Sequence, residues 1–296
     1  MTSQIDPQQL HEWCRIPAAE LANHPQARVP LKVVSTPDQV IQAFAQALLE
    51  EVRLSNRTGR PLRWILPCGP TAQYQIFAET VNRERLSLKN LHVFHMDDFL
   101  DWQGRPLPPD HPLNLKGYML RNFYGRIEPD LNVPAGQRHF PDPFDLEAVS
   151  QAIDYVGGVD TVYGGIGYHG HIAFNEPIHS PWYTVTPEEF RHSRTRVLFL
   201  AEDTLIALSQ RVTGGCSHCI PPMGITIGLA DILSAGRIRL FSTTGAWKQT
   251  VIRILLFGPT TVEYPVTFVQ DHPDVLVTVD SVTASHPFSE GKAELL

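Results

Sequence analysis

Residues 164–177 bring four glycines, two imidazoles and a carboxylate into close succession: Gly164, Gly165, Gly167 and Gly170 with His169, His171 and Glu176. Imidazole and carboxylate are the side chains that move protons near neutral pH. Glycine lets backbone approach a ligand closely or take up positive φ. Glycines alone would mark an ordinary turn; with two histidines and an acid beside them they mark a candidate proton-transfer site. A second cluster, Asp97-Asp98, follows the apolar run Leu91-His92-Val93-Phe94-His95. Two acids there are costly to bury unless paired or used, although a lone Asp pair also serves as a solvated cap.

Three stretches suit an anion. Pro67-Cys68-Gly69-Pro70-Thr71 links an apolar run (Leu62-Arg63-Trp64-Ile65-Leu66) to a helix start at Ala72. Free amides and the helix dipole favour a phosphate at such a turn, but every strand-to-helix turn offers them. Ser193-Arg194-Thr195-Arg196 sets two forked guanidiniums beside hydroxyls, which fits a phosphate or carboxylate or equally a solvated basic patch. Lys248, in a first helical turn, is unfavourable for the dipole unless an anion is present. The single Cys216-Ser217-His218-Cys219 has no second ligand pair at usable spacing. It reads as buried or loop thiols rather than a zinc site or redox motif, and no metal is expected.

Strands and helices must alternate to position these groups. Strands are expected at residues 31–34, 62–66, 91–95, 160–163, 197–200, 225–228, 238–242, 266–269 and 275–279, from short β-branched or apolar runs. Helical spacing of Val40, Phe44, Leu48 and Val52, after the cap candidate Thr36 and Pro37, predicts a helix there. Further helices are expected near 72–77, 116–124, 145–155, 202–212 and 244–255. The pattern predicts a three-layer α/β Rossmann-like fold with a mainly parallel sheet flanked by helices. In such sheets ligands bind at the carboxyl edge, where the glycine turn and Asp97 would lie. The expected division is an N-terminal extension (1–30), one domain (31–285) and a tail (286–296), with everything after Asp280 reading as tail-like. The irregular segment 178–192, with Pro181-Trp182-Tyr183, is a candidate lid.

The 296 residues are 43% hydrophobic and 19% charged, enough for a sizeable core. A formal charge of -7 argues against nucleic acid or an anionic membrane as partner. No apolar run is long enough to span a bilayer. Met1-Thr2-Ser3-Gln4-Ile5-Asp6 lacks a basic segment followed by an apolar core, so no signal peptide is expected. Four cysteines do not make a disulfide framework, and a reducing cytoplasm is the expected location.

These motifs together resemble the glucosamine-6-phosphate deaminase family, a sugar-phosphate isomerase/deaminase group related to 6-phosphogluconolactonase. The carriers are Leu66-Pro67-Cys68-Gly69-Pro70-Thr71, Met96-Asp97-Asp98, His111-Pro112 with Met119, Arg121-Asn122-Phe123, and Gly170-His171-Ile172-Ala173-Phe174-Asn175-Glu176-Pro177. Ser193-Arg194-Thr195-Arg196, Lys248, and Gln270 with His272-Pro273 complete the set, in the family's order over nearly the whole chain. The run from His171 to Pro177 is specific; the others count jointly.

The resemblance implies a cofactor-free reaction on an aminosugar 6-phosphate and assembly as a homo-oligomer. His171 would open the sugar ring, oriented by Glu176, with His169 beside it. Asp97 would move a proton from C2 to C1, after which ammonia leaves and a ketose phosphate remains. Cys68, Gly69, Thr71, Asp98, Arg196 and Lys248 would hold the substrate and its phosphate. This chain departs from the family in having His169 where Asp is typical, Tyr168 where a polar residue stands, and Pro70 for a second glycine. Segment 178–192 is longer than the family's, so its allosteric aminosugar site is not carried over. Two alternatives share the motifs: a lactonase-type hydrolase, disfavoured by Asn175-Glu176-Pro177, and a non-catalytic sugar-phosphate sensor, suggested by His169.

Overall fold

The computed structural model describes residues 5–69, 71–168, 170–178 and 180–292. Two short helices, α1 (Pro7–Arg15) and α2 (Ala18–Leu21), precede strand β1 (Leu31–Val34) and helix α3 (Pro37–Thr58). Next come β2 (Leu62–Leu66), α4 (Ala72–Glu84), β3 (Leu91–His95), β4 (Asp97–Leu100), α5 (Leu115–Asn122), β5 (Arg138–His139), α6 (Ala148–Tyr155) and β6 (Thr161–Gly164). The second half contains α7 (Pro187–Arg191), β7 (Arg196–Phe199), α8 (Glu202–Val212), β8 (Met223–Thr226), α9 (Leu229–Leu233), β9 (Arg237–Ser242), α10 (Ala246–Phe257), β10 (Val275–Asp280) and α11 (Ser281–Ala284).

Seven strands form a sheet in the order β1-β10-β9-β6-β2-β3-β5, every pair parallel. The alternation of side chains along each strand divides them between two apolar layers. Ile65, Phe94, Val162 and Leu240 face one layer with α9 and α10. Trp64, Val93, Tyr163 and Phe241 face the other with α3 and α4. The expected three-layer α/β architecture with a mainly parallel sheet is therefore present.

Local chemistry sets the ends of α3 as the sequence suggests. Thr36 and Gln39 form a reciprocal capping box, Pro37 occupies the first turn, and Gly59 ends the helix at φ 70°. The N-terminal segment is tied to α10: the buried Arg253 guanidinium donates to the Ile16 carbonyl at 2.9 Å.

Two expectations fail. Residues 266–269 are not a strand but part of a 3₁₀ turn, Pro265–Asp271. Thr267 donates its hydroxyl to the Tyr264 carbonyl at 2.7 Å. A short buried apolar run has no period that separates strand from turn. The chain after Asp280 is not tail-like either. The Asp280 carboxylate caps α11 through Val282 and Thr283, Thr283 and Ala284 are buried, and so is His286.

A smaller antiparallel sheet, in the order β4-β8-β7, stands beside the main one. Asp97 belongs to it: the chain leaves β3 at His95 and re-enters β4 two residues later. The Ile227 amide bonds to the Met96 carbonyl at 2.8 Å and joins the sheets at this point.

Candidate active site

Four strand ends build the site. β2, β6 and β9 are adjacent, and β3 lies next to β2. Strands β2 and β3 continue outward on one side and β9 and β10 on the other, so the carboxyl edge here is the switch point where α/β sheets open a crevice. A cavity of about 280 Å³ occupies it. Its walls come from Pro67, Cys68 and Gly69 after β2, Asp97 after β3, residues 165–168 and His171 after β6, and residues 242–244 and Lys248 after β9.

The glycine turn shapes itself around one imidazole. The Gly167 amide donates to the His171 carbonyl at 2.7 Å. A Cβ on Gly167 would lie 1.8 Å from the His171 ring, so this position has no room for a side chain. Gly170 sits at φ 68°, where a Cβ is strained. The run that follows is mostly buried. Asn175 donates to the carbonyls of Ile172 (3.0 Å) and Ile227 (2.9 Å), and the Phe174 amide donates to the Thr226 hydroxyl. Glu176 presents one oxygen 3.7 Å from His171 Nδ1. The other accepts the Ala201 amide at 2.5 Å, just before α8 begins. Burial pushes the Glu176 carboxyl up to about 7.

Asp97 is only half-buried, because it opens onto the cavity. Burial first, then the neighbouring Asp98, raises its pKa to about 7. A carboxyl poised there both accepts and returns a proton near neutral pH.

The opposite wall is cationic. Lys248 is 1% exposed, and its ammonium lies 4.5 Å from the centroid of the Tyr168 ring. Burial, with the Arg211 charge adding to it, pulls its pKa down to about 7. No carboxylate ion-pairs with Lys248 among the described residues. The Ser242 and Thr244 hydroxyls are buried without a hydrogen-bond partner among the described residues, and both residues line the cavity. With Arg211, the cavity thus holds an ammonium, a guanidinium and two hydroxyls without partners, groups that suit an anion.

Helix α8 closes the cavity. Thr204, Leu208 and Arg211 line it, spaced so that they share one helical face. None of the described residues of the candidate lid, 178–192, lines it; Trp182 and Tyr183 are exposed. That segment instead carries α7, with a capping box between Thr186 and Glu189.

The structure thus brings Asp97, His171, Cys68, Gly69 and Lys248 to one cavity, with Glu176 behind His171. Thr71 stands at the N-cap of α4, where its side chain makes no capping bond. His169 and Pro70 lie outside the described residues. Two sequence-based expectations are corrected. The Asp98 carboxylate faces away from the cavity and receives the amides of Phe99 (2.8 Å), Leu115 (2.7 Å) and Lys116 (3.2 Å). It anchors the start of α5 rather than a substrate, since side chains alternate along β4. Arg196 does not line the cavity: its guanidinium donates to Asn175 Oδ1 at 2.8 Å. Its neighbour Arg194 pairs with Asp231. Arg211, Ser242 and Thr244 were missed. The helix carrying Arg211 was legible, but not which of its faces meets the site.

Among the described residues no group of three or more His, Cys, Asp or Glu side chains could hold a metal ion. No described helix is long and apolar enough to cross a membrane.

No protein-family model matches the chain. Glucosamine-6-phosphate deaminase of Beutenbergia cavernae is 33% identical over 264 residues, covering 86% of this chain and 92% of the relative. The Cronobacter sakazakii enzyme of the same name is 29% identical, covering 83% and 88%. A solved monomeric glucosamine-6-phosphate deaminase superposes with a TM-score of 0.70 at 25% identity, covering 86% of this chain and 98% of its own. The 6-phosphogluconolactonase of Trypanosoma cruzi shares the fold, with a TM-score of 0.62 at 19% identity over 86% of this chain and 96% of its own. With one relative this similar over nearly its whole length, and Asp97, His171 and Lys248 lining a single cavity, the chain belongs to the glucosamine-6-phosphate deaminase family.

Proposed function

We propose that this protein converts an aminosugar 6-phosphate, glucosamine 6-phosphate or a close relative, and water to a ketose 6-phosphate and ammonia. The observation that carries the reading is the arrangement of one cavity: a carboxyl poised near neutrality (Asp97) and an imidazole (His171) share it with two cations, the buried Lys248 and the exposed Arg211. The wall fits a phosphate, and the two proton-transfer groups fit the other end of a phosphorylated sugar.

The steps follow from these groups. His171 moves a proton between the C1 hydroxyl and the ring oxygen, opening the sugar. Glu176, 3.7 Å from Nδ1, stabilises the imidazolium formed on the way. Asp97 takes the C2 proton, giving an enolamine, and returns it at C1, giving an imine at C2; water adds to that carbon and ammonia leaves, which yields the ketose. Lys248 and Arg211 hold the phosphate, with the Ser242 and Thr244 hydroxyls turned to the substrate. The buried sites keep water from competing for these bonds. Self-association of the chain is a separate proposal, to be read by analytical ultracentrifugation, since the solved relative is described as monomeric.

The test is a coupled assay for ammonia and ketose 6-phosphate over a panel of 2-amino-2-deoxyhexose 6-phosphates. Turnover of at least one, lowered by about 10²–10⁴-fold in Asp97→Asn, is expected. Hydrolysis of 6-phosphogluconolactone without aminosugar turnover would replace this reading with the lactonase one. Phosphate-dependent thermal stabilisation with no product from any sugar would replace it with the sensor one.

A further inference from the structure

Cys216 and Cys219 were expected to be buried or loop thiols rather than a redox motif, but the structure holds them as a close pair. Their sulfurs are 3.1 Å apart, and both residues are free and exposed. A single turn of 3₁₀ helix, Ser217–Cys219, sets the spacing, with the Cys219 amide donating to the Cys216 carbonyl at 3.2 Å. Two glycines at positive φ, Gly214 (64°) and Gly215 (96°), fold this turn back onto the end of α8. There the Thr213 hydroxyl donates to the Cys216 carbonyl at 2.8 Å, and the Gly215 amide donates to Ser209 at 2.8 Å. The dithiol is therefore fastened to the helix that closes the active-site cavity, five residues beyond Arg211.

We propose that Cys216 and Cys219 are a redox-active pair, a modification site that a small-molecule disulfide converts to an intrachain disulfide, and that this conversion weakens anion binding by displacing Arg211. The chemistry is thiol–disulfide exchange. One cysteine, as thiolate, attacks a sulfur of the small disulfide. The S–S bond of that molecule breaks, and its first thiol leaves with the proton. The second cysteine then attacks the mixed disulfide and expels the second small thiol. The protein loses two electrons and two protons, and the small disulfide is reduced to two thiols. To bond, the sulfurs must close from 3.1 Å to about 2.05 Å. That tightens the 3₁₀ turn and draws on the Cys216 carbonyl, and through Thr213 on the last turn of α8. The coupling rests on Lys248 and Arg211 being the anion site; the disulfide itself does not.

The experiment uses the full chain equilibrated with oxidised or reduced glutathione. Intact mass and peptide mapping follow the thiols, and calorimetry with inorganic phosphate follows the cavity. The oxidised protein should lose the mass of two hydrogens, mapped to a 216–219 bond. Its phosphate affinity should fall roughly fivefold, at the lower end of ordinary coupling between sites, and recover on reduction. Cys216→Ser/Cys219→Ser should show neither effect while binding phosphate as the reduced protein does. A stable glutathione adduct or untouched thiols would overturn the redox pair. A 216–219 bond with unchanged phosphate affinity would overturn the coupling. Failure of the reduced protein to bind phosphate would overturn the anion site and the coupling with it, leaving the disulfide result to stand or fall separately.

Discussion

The His171 imidazole fills the space that a side chain on Gly167 would need: a Cβ there would sit 1.8 Å from the ring. The two residues are also bonded, Gly167 amide to His171 carbonyl, at 2.7 Å. The glycine is required by the neighbouring imidazole and not by its own backbone angles, which any residue could adopt. Gly167→Ala should therefore leave the fold intact and displace the imidazole. A displacement on the order of 1 Å at a reacting group costs roughly 100-fold in rate. We expect kcat to fall by about that factor, with circular dichroism and phosphate affinity unchanged. Full activity in this variant would remove His171 from the chemistry.

Asp97→Asn should lower kcat by about 10²–10⁴-fold, the range for loss of a general base, with KM little changed. The pH profile gives a second reading. A base must be deprotonated to act, and Asp97 is raised to about 7. The kcat/KM of the wild type should therefore drop on the acid side of about pH 7. An acid limb lying instead near the ordinary carboxyl value of 3.8 would contradict the burial argument.

Arg211 and Arg196 should behave differently, although only Arg196 stands in a motif. Arg211→Ala removes a charged partner of the phosphate, worth about 1.5–3 kcal/mol, so KM and the phosphate Kd should rise roughly 10–150-fold. Arg196→Ala removes the bond to the Asn175 carboxamide. It should lower Tm through a loosened 171–176 segment while leaving the phosphate Kd of the folded protein within about twofold, the tolerance usual for sites with no shared partner. Equal losses of phosphate affinity in the two variants would return Arg196 to the anion site.

Lys248 titrates near 7 in the folded chain against an ordinary 10.5. Between these values the unfolded chain holds a proton that the folded one does not, so stability rises with pH across that window. Below about 7 the full penalty of a buried charge is present. Lys248→Met should consequently raise the Tm of the ligand-free protein at pH 6–7, and should abolish the further rise that phosphate gives the wild type. A lower Tm in the ligand-free variant would show that the ammonium is already compensated.

His95 is buried and bonded to the Tyr124 hydroxyl at 2.8 Å. Burial, with the His139, Arg138 and Lys116 charges adding to it, depresses its pKa to about 3 from 6.5. Its native neutral state therefore loses stability as pH falls from about 6.5 towards 3, because the unfolded state takes up the proton first. His95→Phe should be less stable than wild type by about 1–3 kcal/mol at pH 7.5, for the orphaned Tyr124 hydroxyl. That gap should narrow as pH drops to 5, measured by urea unfolding.

Much of the molecule could be read in one dimension. Thr36, Pro37 and Gln39 specify a helix start through bonds that span three residues. The alternation of Trp64, Ile65 and Leu66 specifies a strand buried on both faces. Local rules sufficed because the partners are near in sequence. The same rules failed at residues 266–269, where a short buried run has no period that separates strand from turn.

At the site, residue types were legible and directions were not. His171, Glu176, Asp97 and Lys248 announce themselves as proton or anion groups standing at strand ends and helix starts. Asp98 looks identical to Asp97 in sequence, yet β4 turns it to the other side, where three backbone amides claim it. Arg196 lies in a plausible anion motif, but Asn175 reaches it first. Arg211 has no motif at all and enters the cavity because α8 presents the face bearing Thr204 and Leu208. Sequence determined which chemistries were on hand and that they would gather at one sheet edge. Tertiary structure alone decided which side chains open onto the cavity, because that depends on strand register and helix rotation set by contacts many tens of residues apart.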